Sequence, residues 1–335
     1  MIIDGHTHGY HGKHLDRLAD TGGDWAAKRI AVELRVAKER PQRFDVAYRV
    51  EQLDRFGFDL QVVTPGHHLD ANLCPAKAPA KLVYAKALND NMARLMEDSG
   101  GRLLTVASIP LESFERGGQE EMERAIGTLG LKAVMLPSHI DGKPIDLPEY
   151  EPFWAQAAQM DVAVYIHPRD PITDKGRSYE ADYDLIHLFG WPFETVLALT
   201  RLVFSGVMER YPTLKVVSHH LGGGMVPFFL GRIFETYEPQ NQEKLIGKVL
   251  PKPLGDYFSS FYYDTAVGGS PAAIRCAYEE FGADRLVFAT DAPNGPKGGE
   301  SRLANYPGVI RSLGLSEAEN EKIFSGNIRK VLNLE

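Results

Sequence analysis

Short apolar runs recur along the chain and alternate with longer segments whose apolar residues follow a helical period. The runs are brief, mostly β-branched or aromatic, and apolar throughout, which is typical of strands buried on both faces of a parallel sheet. Eight such runs occupy residues 2–4, 60–64, 103–109, 133–136, 162–166, 214–217, 261–263 and 286–289. The pattern therefore predicts an α/β fold with eight strands.

Helix-like segments lie between these runs, at residues 80–97, 115–129, 150–160, 193–211, 270–281 and 316–324. Ser316, with Glu319 three residues later, forms a capping-box pattern at the start of the last one. Because each strand candidate is followed by a helix or a helical loop, the natural outcome is a closed (β/α)8 TIM barrel. We expect residues 1–335 to form this single barrel domain, since no break in composition marks a second one.

An open, doubly wound sheet is the alternative fold. It usually carries a glycine-rich phosphate-binding turn after its first strand, where this chain has His6-Thr7-His8. Irregular segments at about residues 9–44, 169–192 and 238–258 are candidate insertions over the C-terminal face of the barrel, where such folds place their active sites.

Composition narrows the functional classes. The net charge of −8, from 37 basic and 45 acidic residues, argues against broad nucleic-acid binding. Two cysteines exclude a disulfide scaffold and a zinc site built from four cysteines. No apolar run approaches the roughly 18 residues that cross a bilayer, and the N-terminus has no signal-peptide pattern. We therefore expect a soluble, cytoplasmic protein that acts on a small molecule, without a nucleic-acid or membrane partner.

Histidines and one aspartate stand at the ends of the predicted strands. His6 and His8 are two residues apart on the first strand, so their side chains project to the same side and suit a Zn²⁺-type ion. His167 ends the fifth strand. Asp291 follows the last strand, and a buried carboxylate without a cationic partner is costly. Taken singly, each has an ordinary structural explanation, such as a surface pair, a satisfied core histidine or a helix cap.

His219 and His220 follow the sixth strand, directly before a glycine run at residues 222–224. Strand alternation sends their side chains in opposite directions, so only one of them is expected in the site. A phosphate-binding loop is the competing interpretation, but the run lacks the Lys-Ser/Thr ending of a P-loop. The joint placement at the ends of strands one, five, six and eight favours an active site at the barrel mouth.

The motifs Asp4-Gly5-His6-Thr7-His8, Ile166-His167-Pro168, His220-Leu221-Gly222-Gly223 and Thr290-Asp291-Ala292-Pro293 extend over essentially the whole chain. In order and spacing the sequence resembles the amidohydrolase superfamily, in particular its aminocarboxymuconate-semialdehyde decarboxylase-like branch, amidohydrolase family 2. The resemblance implies that His6, His8, His167 and Asp291 are metal ligands. It also implies that His220 acts as an acid or base at the reacting group. The glycine run is one residue longer than in most relatives, so His219 stays an alternative.

The resemblance also implies one divalent metal ion. Three histidines and an aspartate suit Zn²⁺ best, and Mn²⁺, Fe²⁺ and Co²⁺ are compatible with the same donors. Some relatives bridge two ions with a modified lysine at the end of strand four. Here Lys132 precedes that strand, at its opposite end, so a single ion is expected.

The implied reaction is non-oxidative decarboxylation of an aromatic or unsaturated carboxylic acid, in which Asp291 and the metal assist protonation of the carbon that loses CO2. The alternatives are hydrolysis of a lactone or amide by metal-activated water, hydration of an unsaturated acid, and a non-catalytic metal-binding barrel. Arg169, just after His167, is the candidate for binding a substrate carboxylate. Trp191 and Tyr179 are candidates for contacting a planar substrate. Tyr263 and Asp264, which end strand seven, are candidates to face the same pocket. We expect a homodimer or a larger homo-oligomer.

Overall fold

The computed structural model describes residues 1–37, 41–66, 68–171 and 179–334. Eight parallel strands form one sheet in chain order. They are β1 (Ile3–His8), β2 (Leu60–Thr64), β3 (Leu103–Ser108), β4 (Ala133–Pro137), β5 (Ala163–His167), β6 (Val216–Ser218), β7 (Tyr262–Asp264) and β8 (Leu286–Val287). Each predicted apolar run overlaps one of these strands, and several strands extend one or more residues further.

The sheet closes on itself between β1 and the chain that follows β8. The Gly5 amide donates to the Phe288 carbonyl at 2.8 Å, and the His8 amide donates to the Ala292 carbonyl at 2.8 Å. Thr7 and Ala292 also form a parallel bridge. The predicted TIM barrel is confirmed, and the open doubly wound alternative is wrong.

Helices surround the barrel. They are Leu15–Ala37, Val46–Phe56, Ala78–Asp98, Gly118–Glu123, Glu151–Gln159, Trp191–Phe204, Val207–Arg210, Val226–Thr236, Pro239–Ile246, Leu254–Phe258, Pro271–Phe281, Glu300–Arg311, Glu317–Glu321 and Asn327–Val331. All six predicted helical segments contain a helix, and the one at 193–211 is divided at Gly206. The predicted capping box of Ser316 and Glu319 is formed.

Two segments predicted to be irregular are largely helical. Residues 9–44 contain the long helix Leu15–Ala37, which leaves helical geometry at Gly23 (φ 59°, ψ −155°). Gly22 and Gly23 stand in the middle of this helix, and glycine is a poor helix former, so the segment does not read as one continuous helix in the sequence. Residues 238–258 contain two short helices that begin at or after prolines. Of the third segment, residues 172–178 lie outside the described ranges.

The hydrophobic core has two parts. One fills the barrel interior with inward-facing strand residues such as Ile3, Val106 and Tyr165, and the C-terminal helix closes it from below with Ile328 and Val331. The other lies between the strands and the surrounding helices. Because both strand faces are buried, polar side chains concentrate where the strands end.

Two features of the exterior concern the predictions about membranes and about oligomers. Within the described ranges, none of the helices combines the length and apolarity that a bilayer crossing requires. Phe228 is 74% exposed and Phe234 is 38% exposed, so neither belongs to the core of this chain. The oligomeric state and the cytoplasmic location stay predictions.

Candidate metal centre and active site

The four predicted metal ligands meet at the C-terminal end of the barrel. The Nε2 atoms of His6 and His8 lie 3.2 Å apart. Oδ1 of Asp291 is 3.2 Å from His8 Nε2 and 3.9 Å from His6 Nε2. One ring nitrogen from each of His6, His8 and His167 lies within 4.8 Å of the others. Strands β1 and β5 and the end of β8 thus bring these four side chains to one point.

Each imidazole of this group places Nδ1 against an oxygen atom. The pairs are His6 with Asp264 Oδ2 at 2.9 Å, His8 with Thr64 Oγ1 at 2.8 Å, and His167 with the Pro168 carbonyl at 2.8 Å. A carboxylate or carbonyl oxygen only accepts, and the Thr64 hydroxyl donates to the Thr7 carbonyl at 3.1 Å. The proton is therefore on Nδ1, which leaves the Nε2 lone pair to bind a metal ion.

Burial and the contacts among the ligands together set the protonation states of the group. Burial lowers the pKa of His6 well below its ordinary value, and it also lowers the pKa of His8. Burial by itself would raise the pKa of Asp291, but the contact with His8 and the imidazoles of His6 and His220 hold that pKa well below its usual range. Neutral imidazoles and an ionised carboxylate are the forms that bind a divalent cation. The residues therefore fit the predicted ion.

The adjacent residues His219 and His220 lie in different environments. His219 is fully buried, and its ring stacks on that of His6 with 3.5 Å between the centroids. His220 instead lines the cavity above the cluster, with Nε2 3.9 Å from Asp291 Oδ2. The backbone turns left-handed at His220 (φ 56°) and Leu221 (φ 53°), directly after β6. This turn leaves His219 behind the cluster and places His220 on the open side.

Asp264, at the end of β7, connects the metal-ligand group to the histidine behind it. Its Oδ2 accepts from Nδ1 of His6 and, at 2.7 Å, from Nδ1 of His219. Its Oδ1 accepts from the backbone amides of His220 at 2.8 Å and Ala266 at 3.0 Å. The sequence predicted Asp264 only as one of several candidates to face the pocket, because the partners of a carboxylate on other strands leave no local pattern.

A cavity of about 560 Å³ opens above the cluster. The indole of Trp191 forms part of its wall, with the ring centroid 6.3 Å from that of His167. Its Nε1 donates to Asp170 Oδ1 at 2.8 Å, which fixes the ring plane. Trp191 thus lines the cavity, and its contact with a planar substrate stays a prediction. The side chain of Tyr179 lies outside the described residues.

Arg169 is not on the cavity wall. Its guanidinium pairs with Asp141 at 2.9 Å, and its backbone amide donates to Ser138 Oγ at 3.1 Å. The chain leaves the strand at Pro168, so strand alternation does not continue to Arg169. The arginines that line the cavity are Arg43 and Arg302, which come from distant segments that the sequence analysis did not single out.

The amidohydrolase family model matches residues 3–334. The chain belongs to the amidohydrolase family. This membership was predicted from the strand-end motifs and is confirmed over nearly the full length.

Two characterised relatives from this family are decarboxylases. A 2-amino-3-carboxymuconate-6-semialdehyde decarboxylase of Dictyostelium discoideum is 30% identical over 87% of this chain and 77% of its own. A gamma-resorcylate decarboxylase of a Rhizobium species is 28% identical over 80% of this chain and 84% of its own.

Solved structures of the amidohydrolase family share the fold. A 5-carboxyvanillate decarboxylase of Sphingomonas paucimobilis superposes with a TM-score of 0.83 at 22% identity, covering 100% of this chain and 99% of its own. A dihydroxybenzoic acid decarboxylase of a Polaromonas species, solved with bound manganese, gives 0.79 at 24% identity, with 99% and 97% covered. These likenesses show the shared fold, and in this chain the ring nitrogens of His6, His8 and His167 lie close enough together to hold a divalent metal ion.

Proposed function

We propose that this protein is a metal-dependent non-oxidative decarboxylase, a carboxy-lyase, of an aromatic or unsaturated carboxylic acid. The observation that carries the proposal is the convergence of His6, His8, His167 and Asp291 at the base of a cavity. The ring of Trp191 forms part of the wall of this cavity. The two decarboxylase relatives favour this reaction over hydrolysis of a lactone or an amide. The presence of all four predicted ligands in this chain disfavours a non-catalytic barrel.

His6, His8, His167 and Asp291 would hold one divalent ion, for which we propose Zn²⁺ from the donor set. When bound, the ion neutralises negative charge on the oxygens of the substrate. The Nδ1 contacts of the three imidazoles orient the rings before the ion binds. Manganese is the alternative that the test includes, because the Polaromonas relative contains it.

Asp291 is proposed to move the proton. Its depressed pKa means that it begins as a carboxylate, so it accepts a proton from a hydroxyl beside the departing carboxylate. It then delivers this proton to the ring carbon that bears the carboxylate. The bond from that carbon to the carboxylate breaks, CO2 leaves, and the electron pair of the bond returns to the ring. The product retains the proton on carbon and the negative charge on the former hydroxyl oxygen.

His220 and Trp191 are proposed to place the substrate for this transfer. His220 faces the same space as Asp291 Oδ2, and burial lowers the pKa of its imidazole, so it meets the reacting group as a neutral hydrogen-bonding partner. The ring of Trp191 limits a planar acid to one orientation, and the cavity wall excludes bulk water from the proton on Asp291.

The proposal is tested by metal analysis followed by substrate screening. We expect about one equivalent of a transition metal in the wild-type protein and its loss from a His6→Ala/His8→Ala double variant. Hydroxybenzoates, muconate-type acids and lactones are then assayed for CO2 release and for ring opening, with zinc or manganese added. Metal-dependent CO2 release supports the decarboxylase. Ring opening without CO2 release, or no metal after supplementation, contradicts it.

A further inference from the structure

Asp291 occupies an unusual backbone position. Its φ of +59° lies in the left-handed region, which residues other than glycine seldom adopt and which neighbouring contacts must maintain. Its carboxylate needs an equally defined orientation, because only one of its two oxygens faces the Nε2 atoms of His6 and His8. The contacts that impose both features come from outside the β8 strand.

Arg302, in the helix Glu300–Arg311, provides several of these contacts through one nitrogen. Its Nη1 donates to Asp291 Oδ2 at 2.7 Å and lies 3.2 Å from the carbonyl oxygen of Thr290 and 3.4 Å from that of Asp291. The side chain of Arg302 is 19% exposed, so solvent screens this ion pair only partly. The guanidinium therefore contacts both the carboxylate of Asp291 and the backbone carbonyls at this strained position.

The other carboxylate oxygen of Asp291 is held by Asn294. Asn294 Nδ2 donates to Asp291 Oδ1 at 2.9 Å, and Asn294 Oδ1 in turn accepts from Arg43 Nη2 at 3.1 Å. Arg43 is fixed by an ion pair with Glu33 at 2.7 Å. The Asn294 amide takes only part of the acceptor capacity of Oδ1, whereas the cationic guanidinium occupies Oδ2.

We propose that Arg302 is a positioning residue that orients Asp291 for metal binding. By occupying Oδ2 and the carbonyls beside it, Arg302 leaves Oδ1 directed at His6 and His8. The inference rests on the proposed function only in taking Asp291 as a metal ligand. The competing role for a cavity arginine is binding of the substrate carboxylate, which would affect substrate affinity and leave metal affinity unchanged.

The test measures metal affinity without substrate, by chelator competition with Zn²⁺ and Mn²⁺, and then KM and kcat at saturating metal. The variants are Arg302→Ala and Arg302→Lys. The control is Arg55→Gln, whose arginine is 63% exposed and pairs with Glu300 of the same helix at 3.6 Å. Residues that orient metal ligands typically contribute about 10–100-fold in affinity, so we expect a loss of that size in Arg302→Ala. We expect KM within about twofold of wild type, partial recovery of affinity with added guanidinium ion, and no change in the control.

Wild-type metal affinity combined with a raised KM would overturn the proposal and make Arg302 a substrate-binding residue. Unchanged metal affinity with unchanged kinetics would overturn it as well. Thermal unfolding identifies a variant that does not fold, and Arg302→Lys, which keeps the charge but loses the planar fork, then decides by the same criteria. If the protein binds metal but releases no CO2 from any acid, the proposed function fails while the affinity measurement still decides the role of Arg302.

Discussion

Replacing Asp264 with asparagine tests whether this carboxylate organises the metal centre. Asp264 is fully buried, and all of its observed partners are donors, two on each oxygen. Asparagine has nearly the same shape, but it presents one acceptor oxygen and one NH2 group. Whichever way the amide turns, two of the donors face another donor.

The magnitude follows from that mismatch. A buried donor that loses its acceptor costs about 1–3 kcal/mol, so two such donors cost about 2–6 kcal/mol. Because the loop after β7 can relax, we expect the free energy of unfolding to fall by about 2 kcal/mol, the lower bound of this range. If the NH2 group faces His6, the Nδ1 proton is displaced to Nε2 and blocks the metal-facing lone pair. Metal affinity should then fall by about 10–100-fold.

The assay is chelator competition on the purified variant, together with chemical denaturation of the metal-free protein. A matched control is Asp98→Asn, because Asp98 also accepts from a histidine ring, that of His11 at 2.7 Å, but is 54% exposed and far from the cluster in sequence. His11 is buried but its acceptor is half exposed, so water can replace the lost hydrogen bond and the control should lose only about 1 kcal/mol of stability. It should retain its metal affinity, because Asp98 borders a different cavity.

Wild-type metal affinity in a folded Asp264→Asn protein would refute the reasoning. It would mean that the ring orientations of His6 and His219 are set by packing alone. A loss of stability without a loss of metal affinity leads to the same conclusion, since the donors would then be satisfied elsewhere without disturbing the ligand nitrogens.

Three further predictions address the proton carrier, the cavity wall and the loop after β6. Asp291→Asn should retain the fold by thermal unfolding and lose at least about 100-fold in turnover; activity within a few-fold of wild type contradicts its role. Trp191→Ala should raise KM for a planar acid by about 5–10-fold, through lost ring contact, whereas Phe193→Ala, half exposed on the same helix, should not. Gly223→Ala should destabilise more than Gly224→Ala in denaturation, because its Cβ would lie 2.3 Å from the Pro192 carbonyl oxygen. Both glycines have positive φ, so Gly224→Ala should lower the free energy of unfolding only by the backbone strain of about 1–2 kcal/mol. Equal losses of stability in the two variants would contradict the predicted clash at Gly223.

The local features of this protein were predictable from the order of its residues. Strands buried on both faces need continuous apolar runs, so all eight could be located before any contact was known. The period of two along a strand placed His6 and His8 on one side, and the barrel rule placed His167 and Asp291 at the same end. The helix Leu15–Ala37 was the main omission, because the adjacent glycines Gly22 and Gly23 in its middle are typical of a turn or a helix end.

The tertiary structure decided which of several candidates face the metal centre. The residue pattern favoured His220 over His219 for the site without excluding His219, and the left-handed turn after β6 separated them. Sequence favoured Arg169, which pairs with Asp141, whereas Arg302 reaches Asp291 from a later helix. The physical reason is that side-chain direction within a strand follows from local geometry, which the chain encodes nearby. The partners of Asp264, Asp291 and the loop residues depend on contacts between distant segments, which exist only once the barrel has closed.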